Sequence, residues 1–243
     1  MLTNNIAKAV CFVLMSFVSQ WVISDVTVRD SNPKGHLFSD GLSVPASLKS
    51  ADGRWMLVEG VIQKPSVPNK EAPIIGVVDS GVLKEHPQLH GLIIDSYDYT
   101  GEGIEDRLGH GTVVAILTQQ GADSFPLLVA KVANADGSIR KNDLMLAIDW
   151  IVNKGASVVN LSLGFREDEG DFSDLCDLIG QYKKSLFVAA AGNFGPDVRV
   201  FPAACDLPNL LCVGALDENG IPASYSGRCQ LYAPGTVKLK PKN

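Results

Sequence analysis

The chain has 243 residues, 46% of them hydrophobic, and a net charge of −6. This length predicts one domain of ordinary size with a core large enough to fold without disulfides or metals. The acidic balance and scattered charges exclude the basic face that a nucleic-acid-binding protein would present.

The first 24 residues carry the main targeting signal. Lys8 precedes an apolar run from Ala9 to Val18, which is typical of a signal peptide. The longer stretch 6–23 is also near the length of a membrane span. A signal peptide, a membrane anchor and a buried element of a soluble domain all remain open. We expect a secreted or membrane-associated protein, with a cytoplasmic location as the alternative. A membrane partner is expected only if 6–23 is an anchor.

Residues 25–72 are predicted to form an N-terminal arm or linker, with one strand-like run at Arg54–Ile62. Three prolines between Lys64 and Pro73 mark a domain boundary. A single domain is therefore predicted over residues 73–243.

Within this domain, short apolar runs alternate with segments of helical periodicity, which predicts a parallel sheet covered by helices on both faces. In such a sheet the ligand site lies at the carboxyl ends of the strands. The predicted strands lie at 73–81, 91–99, 125–132, 156–164, 185–193 and 209–216, and the predicted helices at 110–121, 141–154 and 171–183.

Four polar residues of this domain are candidates for chemistry. Asp79 and Asn193 fall at strand ends, where a carboxylate can orient an imidazole and an amide can donate to an oxyanion. His110 begins a predicted helix, and Gly109 and Gly111 leave room beside its ring. The helix N-terminus disfavours a protonated imidazole and keeps it available as a base. Ser162 ends a strand whose edge can pair with an extended peptide.

Each candidate also has a structural interpretation. Asp79 can begin a turn, accept a phosphoryl group or hold a metal, although no second acidic or phosphate-binding motif accompanies it. His110 can serve as a cap, and His86, which precedes Pro87, is interpreted as structural.

Taken together and in order, several segments resemble the subtilisin family of serine peptidases, the subtilases. The similar segments span residues 73–235 and read VVDSGV, VLKEHPQL, HGT, VVNLSLG, AAAGN, FPAACDLPNLLCVGAL and ASYSGRCQLYAPG. The resemblance implies an α/β fold, a three-layer α/β/α sandwich with a mainly parallel, doubly wound sheet. It also implies a peptidase that binds a protein or peptide substrate as an extended strand.

The resemblance also implies the roles of individual residues. Asp79 would orient His110, His110 would take the nucleophile's proton, and Asn193 would stabilise the oxyanion. Ser162, Leu163 and Gly164 would pair with the substrate backbone. The family reaction requires no cofactor. Structural calcium is common in the family, and acidic residues between 95 and 106 could contribute to such a site.

The serine nucleophile is the missing part of this pattern. In the family it lies in a Gly-Thr-Ser motif beyond an Ala-Pro-Gly loop, and the chain has that loop at Ala233–Gly235 but no Gly-Thr-Ser. The expectation is an incomplete peptidase domain without the nucleophile and its helix, inactive in hydrolysis as written. The alternative is a pseudoprotease that binds peptides or regulates an active relative.

The five cysteines have no metal-binding spacing. The favoured interpretation is that they are small buried residues. A bridge between Cys205 and Cys212 is the alternative.

Overall fold

The computed structural model describes residues 72–119 and 125–235, together with the backbone of the strands at 20–22, 36–37, 56–58 and 236–241. The strands in chain order are β1 (Gln20–Val22), β2 (His36–Leu37), β3 (Met56–Val58), β4 (Ile74–Asp79), β5 (Ile93–Asp98), β6 (Leu127–Lys131), β7 (Ala156–Leu161), β8 (Leu163–Arg166), β9 (Leu186–Ala190), β10 (Val200–Phe201), β11 (Leu210–Leu216), β12 (Leu231–Pro234) and β13 (Thr236–Pro241).

Seven of these strands form one sheet, in the order β12-β11-β9-β7-β4-β6-β5. Every pair of neighbours in it is parallel. Along the chain, β4 is the first strand of this sheet. The strands β5 and β6 are added on one side of β4, and β7, β9, β11 and β12 are then added on its other side. This reversal of direction beside β4 makes the carboxyl end of β4 the place where a doubly wound sheet opens a crevice.

Within residues 72–119 and 125–235, three α-helices cover the sheet: α1 (His110–Leu117), α2 (Lys141–Asn153) and α3 (Ser173–Gln181). Successive side chains of a strand point to opposite faces. Val77 therefore packs in the core with α1, whereas Val78 packs in the core with α2 and α3. Helices on both faces of a parallel sheet confirm the three-layer α/β/α sandwich.

The helix α2 lies close against β4 because β4 has a glycine in its middle. A Cβ atom added to Gly76 would lie 2.7 Å from Ile151 Cδ1. Both Ile148 and Ile151 of α2 are fully buried, and a buried side chain of this size contributes roughly 1.5–3 kcal/mol. Close packing of this kind fixes the strand that ends in Asp79.

The structure divides the segment 156–164, which was predicted as one strand, into two. The strand β7 belongs to the large sheet, the chain breaks at Ser162, and β8 enters a separate three-stranded sheet between β10 and β2. The apolar pattern continues across the break, so the hydrophobic periodicity carries no sign of it.

The segment that contains Ala233–Gly235 was interpreted as a loop, and this was wrong for its first part. Residues Leu231–Pro234 form β12 and pair in parallel with β11. Beyond Gly235, β13 pairs in parallel with β1 and antiparallel with β3.

Cys205 and Cys212 are buried, as the favoured interpretation predicted, but all four cysteines in the described part of the chain are disulfide-bonded, and the alternative bridge between Cys205 and Cys212 is wrong. Cys176 of α3 is bonded to Cys205, and Cys212 of β11 is bonded to Cys229. Each bridge joins a helix or strand to a loop, whereas the proximity of Cys205 and Cys212 in sequence suggested a local pair.

Some predictions concern residues that the structure does not describe. Gly121, predicted to end the first helix, and Cys11 lie outside them. The predicted signal peptide or anchor also lies outside them, apart from β1. None of the helices described in 72–119 and 125–235 has the length and hydropathy needed to cross a bilayer.

Candidate active site

The centre of the candidate site is a hydrogen bond between Asp79 and His110. Asp79 is the last residue of β4, and His110 is the first residue of α1. His110 Nδ1 lies 2.7 Å from Asp79 Oδ1. Both residues are buried, with 0% and 2% of their surfaces exposed. The structure thus brings together the two candidates that the sequence assigned to the acid and the base.

This hydrogen bond determines the state of the imidazole. Because the carboxylate of Asp79 accepts a hydrogen bond from Nδ1, the neutral ring of His110 carries its proton on Nδ1 and has its lone pair on Nε2. Burial lowers the pKa of His110, but the charge of Asp79, the hydrogen bond with Asp79 and the charge of Asp106 together raise the pKa above its ordinary value. The direction is opposite to the one expected from the helix N-terminus, and a raised pKa makes His110 a stronger base than a free histidine.

The two oxygens of Asp79 have different surroundings. Oδ1 accepts from His110 and also from the backbone N–H of Ser80, at 2.7 Å. Oδ2 is buried and makes no hydrogen bond within the part of the chain that the structure describes. The orientation of the carboxylate is consequently set through Oδ1 alone by these residues.

A second buried carboxylate, Asp106, lies beside this pair, and sequence reasoning missed it. Its oxygens accept hydrogen bonds from two side-chain hydroxyls and three backbone N–H groups, donated by Ser80 Oγ, Thr112 Oγ1, Leu108 N, Gly109 N and Thr112 N. Asp106 is fully buried. The signal available in the sequence was an acidic residue shortly before the start of a helix, where a carboxylate can satisfy unpaired N–H groups.

Two glycines let the segments that carry Asp79 and His110 approach each other. A Cβ atom on Gly111 would lie 2.4 Å from Gly81 O and 3.1 Å from Asp79 Oδ1. Gly81 itself has φ +109°, and its Cβ would lie 2.4 Å from Ile104 O. The room predicted beside Gly111 is therefore filled by the turn after Asp79.

Ser162, Leu163 and Gly164 lie at the next strand end. β7, which precedes Ser162, is the direct neighbour of β4. The hydroxyl of Ser162 donates to Asn160 Oδ1 at 2.9 Å and is buried. Leu163 and Gly164 pair antiparallel with Leu37 and His36 of β2. The edge predicted to hold a peptide backbone thus holds an extended segment of the same chain.

Asn193 follows the carboxyl end of β9, the next strand beyond β7. Because parallel strands lie about 4.8 Å apart, the ends of β4 and β9 are separated by roughly 10 Å. Asn193 is half-buried, and among the described residues no hydrogen bond holds its amide. The three predicted strand ends, at Asp79, Ser162 and Asn193, therefore share one edge of the sheet, although of the four candidates only Asp79 and His110 are joined directly.

The acidic segment 95–106, considered for calcium, is organised by internal hydrogen bonds. Asp98 accepts from the backbone and hydroxyl of Thr100 and from Gly103 N. In the described ranges 72–119 and 125–235, no group of three or more His, Cys, Asp or Glu side chains is arranged to hold a metal ion.

Comparison with known proteins identifies the architecture that carries this site. Residues 70–242 match the model of the subtilase family, peptidase family S8. The chain belongs to the subtilase family. The resemblance of the motifs and the implied fold are thereby confirmed, and the pair Asp79–His110 lies in a family of serine proteases.

Several curated subtilases are similar to this chain. It is 33% identical over 179 residues to the subtilase-type proteinase RRT12 of Saccharomyces cerevisiae, covering 65% of this chain and 35% of that protein. It is 32% identical over 176 residues to the thermophilic serine proteinase of Bacillus sp. (strain AK1), covering 66% of this chain and 43% of that protein. The chain therefore spans well under half the length of these relatives.

Solved structures are similar in fold. The epidermin leader peptide processing serine protease of Staphylococcus aureus superimposes with a TM-score of 0.59 at 24% identity, covering 70% of this chain and 53% of that protein. This likeness supports the mainly parallel, doubly wound sheet with helices on both faces.

Proposed function

We propose that this subtilase is a serine endopeptidase in which Asp79 and His110 are two members of the catalytic triad. The observation that carries the proposal is the buried 2.7 Å hydrogen bond from His110 Nδ1 to Asp79 Oδ1. It provides what a general base needs: a fixed tautomer, a fixed ring and a carboxylate that stabilises the imidazolium.

In the proposed reaction, His110 Nε2 takes the proton of a serine hydroxyl as that oxygen attacks the peptide carbonyl. Asp79 stabilises the imidazolium, which then returns the proton to the leaving amine. Asn193 donates its amide hydrogen to the oxyanion. Removing such a donor from subtilisin lowers kcat about 10²–10³-fold, which is the size of effect that we expect here.

The substrate is proposed to be a protein or peptide bound as an extended strand on Ser162–Gly164. The pairing of β8 with β2 supports this, because it demonstrates that the edge accepts an antiparallel strand. Any peptide that binds there has to displace residues 36–37. The leader-peptide processing activity in the name of the S. aureus protein is consistent with such a substrate.

The family's Gly-Thr-Ser motif, which carries the serine nucleophile, does not occur in this sequence. No Gly-Thr-Ser occurs among the 243 residues. A polypeptide made of only these residues is therefore proposed to lack peptidase activity, because a base and an oxyanion donor without a nucleophile leave only about 10³–10⁴-fold acceleration over water.

Peptide binding without hydrolysis is the second candidate function. It is favoured by the same β8 edge, which can hold a peptide whether or not a nucleophile is present. In this case the protein would bind peptides through β8 and would not hydrolyse them, although Asp79 and His110 are present.

We further propose the division of the chain into a signal peptide or anchor at 1–24, an arm at 25–72 and the peptidase domain from 73. The two disulfides support a protein of an oxidising compartment, and hence secretion.

The test compares the intact protein isolated from its source with a recombinant chain of residues 1–243. We expect the intact protein to cleave casein and to be labelled by a fluorophosphonate on serine, and the recombinant chain to do neither while binding an extended peptide. His110→Ala should abolish both cleavage and labelling in the intact protein, whereas Lys183→Ala, at an exposed position, should leave them unchanged. An intact protein that binds peptide but neither cleaves nor labels would replace the peptidase proposal with the binding one.

A further inference from the structure

The carboxylate of Asp106 connects the two segments that carry the catalytic pair. Asp106 Oδ1 accepts from Ser80 Oγ at 2.8 Å, and Ser80 directly follows Asp79. Asp106 Oδ2 accepts from Thr112 N at 2.7 Å and from Thr112 Oγ1 at 2.6 Å, and Thr112 lies two residues after His110. One side chain therefore holds the turn after β4 with one oxygen and the first turn of α1 with the other.

Each hydroxyl in this network forms a bridge of its own between the two segments. Ser80 Oγ accepts from Gly111 N at 2.9 Å, and Thr112 Oγ1 accepts from Leu83 N at 3.0 Å. Since both hydroxyls already accept a backbone N–H, their protons are directed at Asp106. Among the described residues, Asp106 is the group that accepts a hydrogen bond from both hydroxyls, so it joins the two bridges into one network.

Asp106 caps the N-terminal end of α1 by accepting hydrogen bonds from its backbone N–H groups. Gly109, the residue before the helix, has no side chain to cap it, and φ there is +77°. Asp106 instead accepts from Gly109 N and Thr112 N, at 2.8 and 2.7 Å. A carboxylate at this end of a helix also interacts favourably with the helix dipole. The placement of His110 thus rests on a residue four positions earlier.

We propose that Asp106 is a positioning residue that clamps the turn after Asp79 to the first turn of α1 and so holds Asp79 Oδ1 against His110 Nδ1. It does not touch the reacting atoms and acts through Ser80 and the start of the helix. The proposal deepens the proposed function and rests on it for its catalytic consequence, but the clamp itself can be tested without a nucleophile.

The test is proton and nitrogen NMR of ¹⁵N-histidine-labelled chain, comparing wild type with Asp106→Asn. A histidine Nδ1–H that is hydrogen-bonded to a carboxylate gives a far-downfield proton signal. We expect Asp106→Asn to broaden or abolish that signal for His110 and to shift the midpoint of the His110 titration downward. The charge of Asp106 favours the imidazolium, and the loss of the clamp weakens the bond to Asp79.

Asp98→Asn is the matched control. Asp98 is an acidic residue of the same segment that accepts only from Thr100 and Gly103, so its removal should leave the His110 signal and midpoint unchanged. A folded Asp106→Asn variant with a wild-type His110 signal and midpoint would overturn the proposal.

Ser80→Ala keeps the test decisive if Asp106→Asn does not fold. This variant retains the charge of Asp106 and removes only the bridge through Ser80, so we expect faster solvent exchange of the His110 Nδ1–H. Unchanged exchange would overturn the clamp. In the intact protein, a lowered kcat at unchanged KM in Asp106→Asn would extend the result to catalysis. Absence of activity in the wild type would contradict only the proposed function.

Discussion

The close approach of α1 to the turn after β4 is tested most directly by Gly111→Ala. A Cβ atom at this position would lie 2.4 Å from Gly81 O, a backbone atom that cannot rotate away. The gap has to widen by at least about 0.6 Å to reach 3.0 Å, below which real Cβ atoms are essentially not found. The same Cβ would press on Asp79 at 3.1 Å, so the displacement separates Asp79 from His110.

Two opposing effects set the magnitude. Alanine is favoured over glycine in a helix by about 1 kcal/mol. Inserting a methyl group against a closely packed backbone costs about 1–3 kcal/mol. We therefore expect Gly111→Ala to lower the free energy of unfolding by up to about 2 kcal/mol, which corresponds to a fall in Tm of up to about 8 °C for a domain of this size.

The assay is thermal unfolding followed by circular dichroism, with Gly180→Ala as the control. Gly180 also lies in a helix, α3, but its Cβ would meet only the end of a side chain, Leu207 Cδ2, at 3.2 Å. We expect this variant to match or exceed the wild-type Tm. A Gly111→Ala variant as stable as Gly180→Ala would refute the contact between α1 and the turn after Asp79.

Three further predictions concern other parts of the molecule. Replacing Cys212 and Cys229 by serine opens a bridge between residues 17 apart and should lower the free energy of unfolding by about 3 kcal/mol in urea; an unchanged value would indicate that the bridge does not form. His110 has a raised pKa, so its stabilisation is complete below about pH 6.5 and is lost as the pH rises through the folded pKa. The stability of wild type relative to His110→Gln should therefore fall with rising pH, and a constant difference would contradict this. Substituting His36→Pro and Leu37→Pro removes two N–H donors from β2 and should tighten the binding of an extended peptide to β8, measured by fluorescence anisotropy; weaker binding would assign β2 a supporting role.

The large sheet was accessible from the sequence because its central strands are buried on both faces. Such strands read as short continuous apolar runs, as Ile74–Val78 and Leu127–Ala130 do, and each is closed by polar or glycine residues. Helix ends were less accurate: α3 begins at Ser173, whereas Asp171 was predicted. Helix ends are determined by single hydrogen bonds rather than by periodicity.

The parts that sequence reasoning missed are long-range pairings. The break at Ser162 separates two strands of equal hydrophobicity, and only the sheet to which each belongs distinguishes them. The bridge from Cys176 to Cys205 joins residues 29 apart, which no spacing rule identifies. Asp106 lies in a polar, glycine-rich segment without apolar periodicity, so its burial depends on Ser80 and Thr112 arriving from elsewhere in the chain.

The strength of His110 as a base follows from its enclosure with two carboxylates. A buried imidazole alone would resist protonation, because burial disfavours the charged form. Asp79 is itself fully buried and lies 2.7 Å from His110 Nδ1, so its charge and its hydrogen bond favour the protonated ring. Asp106 adds a second negative charge near His110 and, as a clamp, holds the carboxylate of Asp79 at hydrogen-bond distance from His110. The buried pair therefore favours proton uptake by His110, which is what the proposed general base has to do.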